Sequence, residues 1–188
     1  LLPFMDGIAK YLSAEMHFIQ IIWGRYFFMI LVSFPLALIF FRKEIKFPKN
    51  ISVQLFRGFF LFLSTMFFFY AISIISLAQA LTLAFVSPII VTILSIFYLK
   101  ESVGIHRWSA VIIGFIGVLI IIRPGFLEIN FASISAVGAG TAYAFYIIYT
   151  RKLSFIDSPI VTLLFTGVVG CVLISLILPL YWINLDLR

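Results

Sequence analysis

Apolar residues run along this chain in long blocks separated by short polar gaps, and the longest block sets the class. From Gly58 to Leu99 no charged side chain occurs in 42 residues. As one helix that stretch would extend roughly 63 Å at about 1.5 Å per residue, twice the ~30 Å thickness of a bilayer core. It therefore predicts two membrane crossings joined by a tight turn at Ser73 to Gln79, where Ser76 and Gln79 interrupt the apolar run. Reading the remaining blocks against the length a spanning helix needs gives seven segments. They are Leu1 to Leu12, which reads as the truncated end of a helix, then Phe18 to Phe41, Gly58 to Ile75, Ala78 to Leu99, Trp108 to Ile122, Phe131 to Tyr149 and Ile160 to Trp182. None shows the sustained apolar and polar alternation of membrane strands. The predicted fold class is all-α, a polytopic transmembrane helix bundle.

Composition narrows the function classes. Only 11% of residues are charged and 64% are hydrophobic, against about 25% charged in soluble domains, so a water-soluble core is excluded. The net charge of +6 would suggest nucleic acid in a soluble chain. Here the basic residues lie in the gaps between apolar segments, where they act as topology signals. One set of alternate loops carries Arg42, Lys43, Lys46, Lys49, Arg57, Lys100, Arg107, Arg151 and Lys152, the other only Lys10, Arg123 and Arg188. Cytoplasmic loops carry the excess of Lys and Arg, so the loop from Arg42 to Arg57 is expected in the cytoplasm. The lone Cys171 lies inside an apolar segment and builds neither a disulfide framework nor a metal site.

Polar residues within the spans mark the candidate chemistry. Arg25 lies about seven residues, or roughly 10 Å, inside the second segment, where an unpaired guanidinium costs a few kcal/mol. Asp6 or Glu15 is expected to hold it; the alternatives are a charge in a substrate path and an arginine that snorkels to the interface beside Trp23 and Tyr26. On the fourth segment Ala80, Ala84, Ser87, Pro88, Thr92 and Ser95 share one face, expected to point into the bundle, and Pro88 is expected to bend the helix. Gln79 and Thr82 lie off this face and suit a cap of the turn. Ala110, Gly114 and Gly117 on the fifth segment allow a close helix approach. On the sixth, Tyr143 and Tyr146 form a phenolic stripe suited to a cavity wall, facing Ser87 and Thr92. No HExxH, GxSxG, P-loop or buried carboxylate pair occurs, and His17 and His106 are isolated. The chain is therefore expected to be no enzyme, with neither cofactor nor metal. A channel or a membrane-embedded structural protein remains the alternative to a carrier.

Several motifs in one order then resemble a known family. AQALTLAFVSPIIVTILSIFYLKE from Ala78 to Glu101, RWSAVIIGFIGVLIIIRPG from Arg107 to Gly125, YAFYIIYTRKLS from Tyr143 to Ser154 and the Arg57-Gly58 pair are similar to EamA-type carriers of the drug/metabolite transporter superfamily. The resemblance implies a ten-helix transporter built from two inverted five-helix repeats. In that frame residues 1 to 126 are the first repeat, residues 127 to 188 are the first two helices of the second, and helices eight to ten are missing. It implies a secondary carrier working by alternating access, with a midplane cavity between the repeats. Asp6, Tyr70, Ser87, Thr92, Tyr143 and Tyr146 fall on the helices that line such a cavity, and Arg25 joins them as a charge in its path. The implied partners are a small-molecule substrate, the lipid bilayer and at most a second copy in a homodimer, with no nucleic acid. MDGIAKYL and WGRYFF are most similar to bacterial inner-membrane members, S-adenosylmethionine uptake carriers among them; amino-acid-like and nucleoside-type metabolites are the expected substrate classes.

Overall fold

The structure is a computed structural model, and it describes residues 2–13, 16–44, 47–100, 102–122 and 130–181. Every regular element among them is helical: α1 (Leu2–Leu12), α2 (Phe18–Phe40), α3 (Ile51–Ile74), α4 (Leu77–Ala84), α5 (Ser87–Leu99), α6 (Ile105–Ile122), α7 (Phe131–Leu153) and α8 (Pro159–Ile177), followed by a 3-10 turn at Leu178–Leu180. By length and composition α2, α3, the α4–α5 pair, α7 and α8 suffice to cross a bilayer, and α6 contributes a shorter apolar run from Ile105 to Gly117. The chain is a polytopic membrane protein.

Polar side chains start these helices where the sequence supplies them. His17 and Gln20 close a reciprocal capping box at α2, and Ser76 and Gln79 another at α4. The Asn130 side chain accepts the Ser133 N–H at 2.9 Å at the head of α7, and Ser158 caps α8 with Pro159 at its first position. The predicted turn at Ser73 to Gln79 is therefore present, with Gln79 as its cap. Thr82 turns its hydroxyl back to the Ala78 carbonyl at 2.5 Å.

Two segments differ most from the sequence reading, while α6 starts earlier than expected, at Ile105, and α7 runs on to Leu153. The fourth segment is not one bent helix: α4 ends at Ala84, and α5 begins at Ser87. Pro88 falls in the first turn of α5, where its missing N–H costs nothing. Further back, the Ala84 carbonyl loses the donor that a continuous helix would give it. The third segment starts not at Gly58 but at Ile51, because Pro48, Lys49 and Asn50 form a helix start and the Gln54 N–H already bonds to the Asn50 carbonyl at 3.2 Å. Arg57, expected in a loop, is thereby moved into α3.

The described helices form two compact units. In the first, α2 packs along α8. Gly170 of α8 leaves room for the ring of Tyr26, and a Cβ at Gly167 would stand 2.8 Å from Cγ1 of Ile30. Tyr26 is 2% exposed as a result. The Trp23 indole N–H donates to the Ser175 hydroxyl at 3.1 Å, and the His17 ring stacks on Tyr181 with centroids 5.2 Å apart. In the second unit α7 presents a small-residue seam, with Ala132, Ala136, Ala139, Ala142 and Ala144 all buried. A Cβ at Gly140 would stand 2.5 Å from the Ala84 carbonyl oxygen, the one that Pro88 leaves without a donor. One turn on, Ala144 and Ile148 pack against Val91, with Ile90 and Leu94 beside it.

Candidate functional site

The first turns of α3 carry polar residues in helical register with the buried face. Gln54 and Arg57 are three apart and lie on the stripe that continues through Gly58, Phe62, Thr65 and Phe69, all of them buried. The exposed positions between them, Leu55, Phe56 and Phe59, are apolar. The polarity of α3 at this end is thus the reverse of a soluble helix: hydrophobic residues outside, amide and guanidinium inside.

These two side chains are 0% and 2% exposed and hold α3 to α7 and α8. One terminal nitrogen of Arg57 donates to the Thr162 carbonyl and to the Thr166 hydroxyl, both on α8. The other donates to the Thr150 hydroxyl on α7 at 3.5 Å. The Gln54 amide nitrogen donates to Asp157 at 2.8 Å and to the Thr162 hydroxyl at 3.3 Å. Asp157 also accepts the Lys49 backbone N–H at 3.1 Å, and the Ser158 hydroxyl donates to the Glu44 carbonyl at 3.4 Å. A hydrogen bond to a charged group contributes about 1.5–3 kcal/mol, so this cluster ranks among the strongest polar ties the chain has. It also fixes topology. The loop between α2 and α3 and the loop between α7 and α8 lie at one end, as required if the α4–α5 pair crosses the membrane once.

Beside the guanidinium the helices touch through backbone and rings. A Cβ at Gly58 would lie 2.8 Å from Cβ of Val169, so the Val169 side chain of α8 packs directly on the α3 backbone there. Tyr149 of α7 stacks on Phe56 and Phe60 with centroids 6.2 and 5.7 Å away. A cleft of about 280 Å³ opens at the same end, lined by Lys43, Glu44, Phe47, Lys49, Ile156, Asp157, Ser158 and Val161.

The residues singled out from sequence lie elsewhere. Asp6 and Arg25 are both half-buried in the first unit; Glu15, the other candidate partner, is outside the described residues. Tyr70, Ser87, Thr92, Tyr143 and Tyr146 belong to the second unit. Tyr143 and Tyr146 come together with ring centroids 5.6 Å apart. Thr92 is 2% exposed and spends its hydroxyl on the Pro88 carbonyl at 2.8 Å, as Ser95 does on the Thr92 carbonyl at 2.8 Å. Such back-bonding is how a hydroxyl is satisfied inside an apolar helix. Ala144 and Ile148 of α7 pack with Val91 of α5 in the buried core. Sequence reasoning missed Gln54, Thr162, Thr166 and Asp157. Their signal was the Asn50 helix start, which puts Gln54, Arg57 and Gly58 on one stripe.

Comparison with known proteins converges on one family. The chain is 27% identical over 179 residues to an S-adenosylmethionine uptake transporter of Rickettsia bellii, covering 95% of this chain and 61% of that protein. The corresponding transporter of Rickettsia prowazekii is 25% identical over the same share of the chain and 60% of its own length. A riboflavin transporter of Vibrio cholerae is 43% identical over 81 residues, 43% of this chain and 27% of that protein. The chain thus spans about three fifths of the length of the Rickettsia proteins it matches. No solved structure matches it significantly. Residues 5–123, from α1 through the end of α6, match the EamA-like transporter family, and the chain belongs to that family.

Proposed function

We propose that this chain is the larger part of a secondary carrier that moves a small metabolite across the membrane by alternating access, and that it is not an enzyme. The single observation that carries the reading is the family match over residues 5–123 together with relatives named as uptake transporters along 95% of the chain. The two kinds of relative handle compounds with a planar heteroaromatic ring and a polar chain, S-adenosylmethionine and riboflavin. A compound of that class is the proposed substrate. Paired tyrosines at Tyr143 and Tyr146 suit a ring of this kind, because offset stacking and phenolic hydrogen bonds serve both of its parts. Asp6, Arg25, Tyr70, Ser87 and Thr92 remain the other proposed cavity positions, in a protein of two inverted repeats divided near residue 126. The basic loops, including Arg42, Lys43 and Lys49, are proposed to face the cytoplasm.

Counterflow in vesicles tests the reading. The full-length protein is reconstituted with unlabelled S-adenosylmethionine or riboflavin inside, and labelled compound is added outside. Saturable uptake that the trans compound accelerates marks a carrier. Ion conductance without trans-stimulation marks a channel, and no flux of either compound refutes the substrate class. For the Tyr146→Phe variant, weakened uptake at unchanged expression is expected. Orientation is tested by cysteines at Asn50 and Asn130 without Cys171, expected to label from opposite sides.

A further inference from the structure

The matched domain ends at residue 123, whereas the partners of Gln54 and Arg57 named above, Thr150, Asp157, Thr162 and Thr166, all lie beyond it. We propose that these six residues form a latch that ties the basic end of α3 to α7 and α8 in one state of the transport cycle and opens in the other. The inference rests on the carrier reading: alternating access requires the first repeat to part from the second at each end in turn, and α3 belongs to one and α7 and α8 to the other.

The chemistry of the cluster suits release as well as closure. The acceptors of Arg57 named above are a carbonyl and two hydroxyls. Both threonines on α8 also donate within their own helix, Thr162 to the Ser158 carbonyl at 3.0 Å and Thr166 to the Thr162 carbonyl at 2.7 Å. When the guanidinium leaves, the two α8 threonines keep their hydroxyls satisfied, and the groups that need water are those of α3 and the Asp157 carboxylate. Those groups sit at the basic end, beside the cleft lined by Lys43, Lys49 and Asp157, where water enters first. Closure is also incomplete in one respect. Gln54 is fully buried, yet no hydrogen bond among the described residues reaches its Oε1. A buried acceptor without a donor is costly, and hydration on opening removes that cost. The bias keeps the latch from holding permanently. At Gly58 the α3 side of the contact is bare backbone against the apolar Val169 side chain, so once the polar bonds are broken no further polar group holds that point.

Accessibility reads the latch directly. In the full-length protein with Cys171→Ser, a cysteine replaces Leu153, which is 1% exposed and one turn beyond Thr150 on α7. Inside-out vesicles are treated with a membrane-impermeant maleimide. The expected result is slow labelling in this parent and about tenfold faster labelling on adding Arg57→Gln, the factor that roughly one hydrogen bond to a charged group carries. Arg57→Lys, which keeps a donor, should return the rate to about a third of that increase or less. Thr166→Val removes one acceptor with little change of shape and guards against misfolding of the arginine variant; acceleration of up to about tenfold is expected, the factor of one hydrogen bond to a charged group. Unchanged labelling in all three variants of a parent that takes up S-adenosylmethionine or riboflavin overturns the latch. Acceleration in a parent that takes up neither compound supports the latch contacts and overturns the carrier reading instead.

Discussion

The beginning of α3 and the seam of α7 join their neighbours by opposite means. At the beginning of α3, Gln54 and Arg57 reach out and bind oxygens on α7 and α8 through long side chains. Along the seam of α7, Ala139, Gly140 and Ala144 let the neighbouring helices come to the backbone itself, with the Ser64 hydroxyl donating to the Ala139 carbonyl at 2.9 Å and the Ala84 carbonyl facing Gly140. The first kind of joint tolerates movement, since a four-atom stem can swing and water can replace each partner. The second has no slack. Its energy comes from close van der Waals contact, and an atom added at Gly140 must displace the Ala84 backbone.

Substitutions that add or remove single groups sharpen this contrast. The largest effect is expected from Gly140→Ala, whose new methyl would overlap the Ala84 carbonyl oxygen. Backbone cannot step aside cheaply, so a loss of about 3 kcal/mol is expected, the upper end for overpacking, seen as a lowered unfolding midpoint in detergent. A neutral outcome would show the seam to be as compliant as the polar joint. Next comes Thr166→Val. It removes one acceptor from a charged donor and should lose about 1.5 kcal/mol. Gly138→Ala should lose about 1 kcal/mol or less, because its new methyl meets the Phe67 ring at 3.2 Å and a ring can tilt where a carbonyl cannot. Equal costs at Gly138 and Gly140 would break the distinction between side-chain and backbone obstacles. Smallest is Trp23→Phe, which removes the exposed bond to Ser175; about 0.5 kcal/mol is expected, near the mean for hydrogen bonds between membrane helices.

What the sequence disclosed and what it hid follow the same division. Apolar length announced the spans, and the turn at Ser76 and Gln79 was visible because a capping pair three apart needs nothing beyond itself. Small residues were less decisive: Gly114 and Gly117, expected to allow a close approach, have no neighbour among the described residues within 4 Å of an added Cβ, whereas Gly138 and Gly140 of α7 do. Arg57 was misread because a cation ahead of an apolar run looks like a loop residue. Its burial depends on Thr162 and Thr166, more than a hundred positions away, and no local pattern records that. The break between α4 and α5 was misplaced for a similar reason. Proline alone is compatible with a kinked helix or with the start of a new one, and here it stands in the first turn of α5.

Arg57 also bears on how the protein is made. Its α8 partners are synthesised 105 and 109 residues after it, a delay of roughly 5 to 20 s at about 5–20 residues per second. Through that interval α3 is already inserted, and the guanidinium has no α8 to bind. Its place in the second turn of the helix is within reach of the lipid headgroups, and on the orientation proposed above it counts there as one more positive charge on the cytoplasmic side. Arrival of α8 then converts an address label into a structural tie. A single arginine thus serves twice in the life of the chain, first in biogenesis and afterwards in the folded bundle, and the order of synthesis keeps the two duties apart.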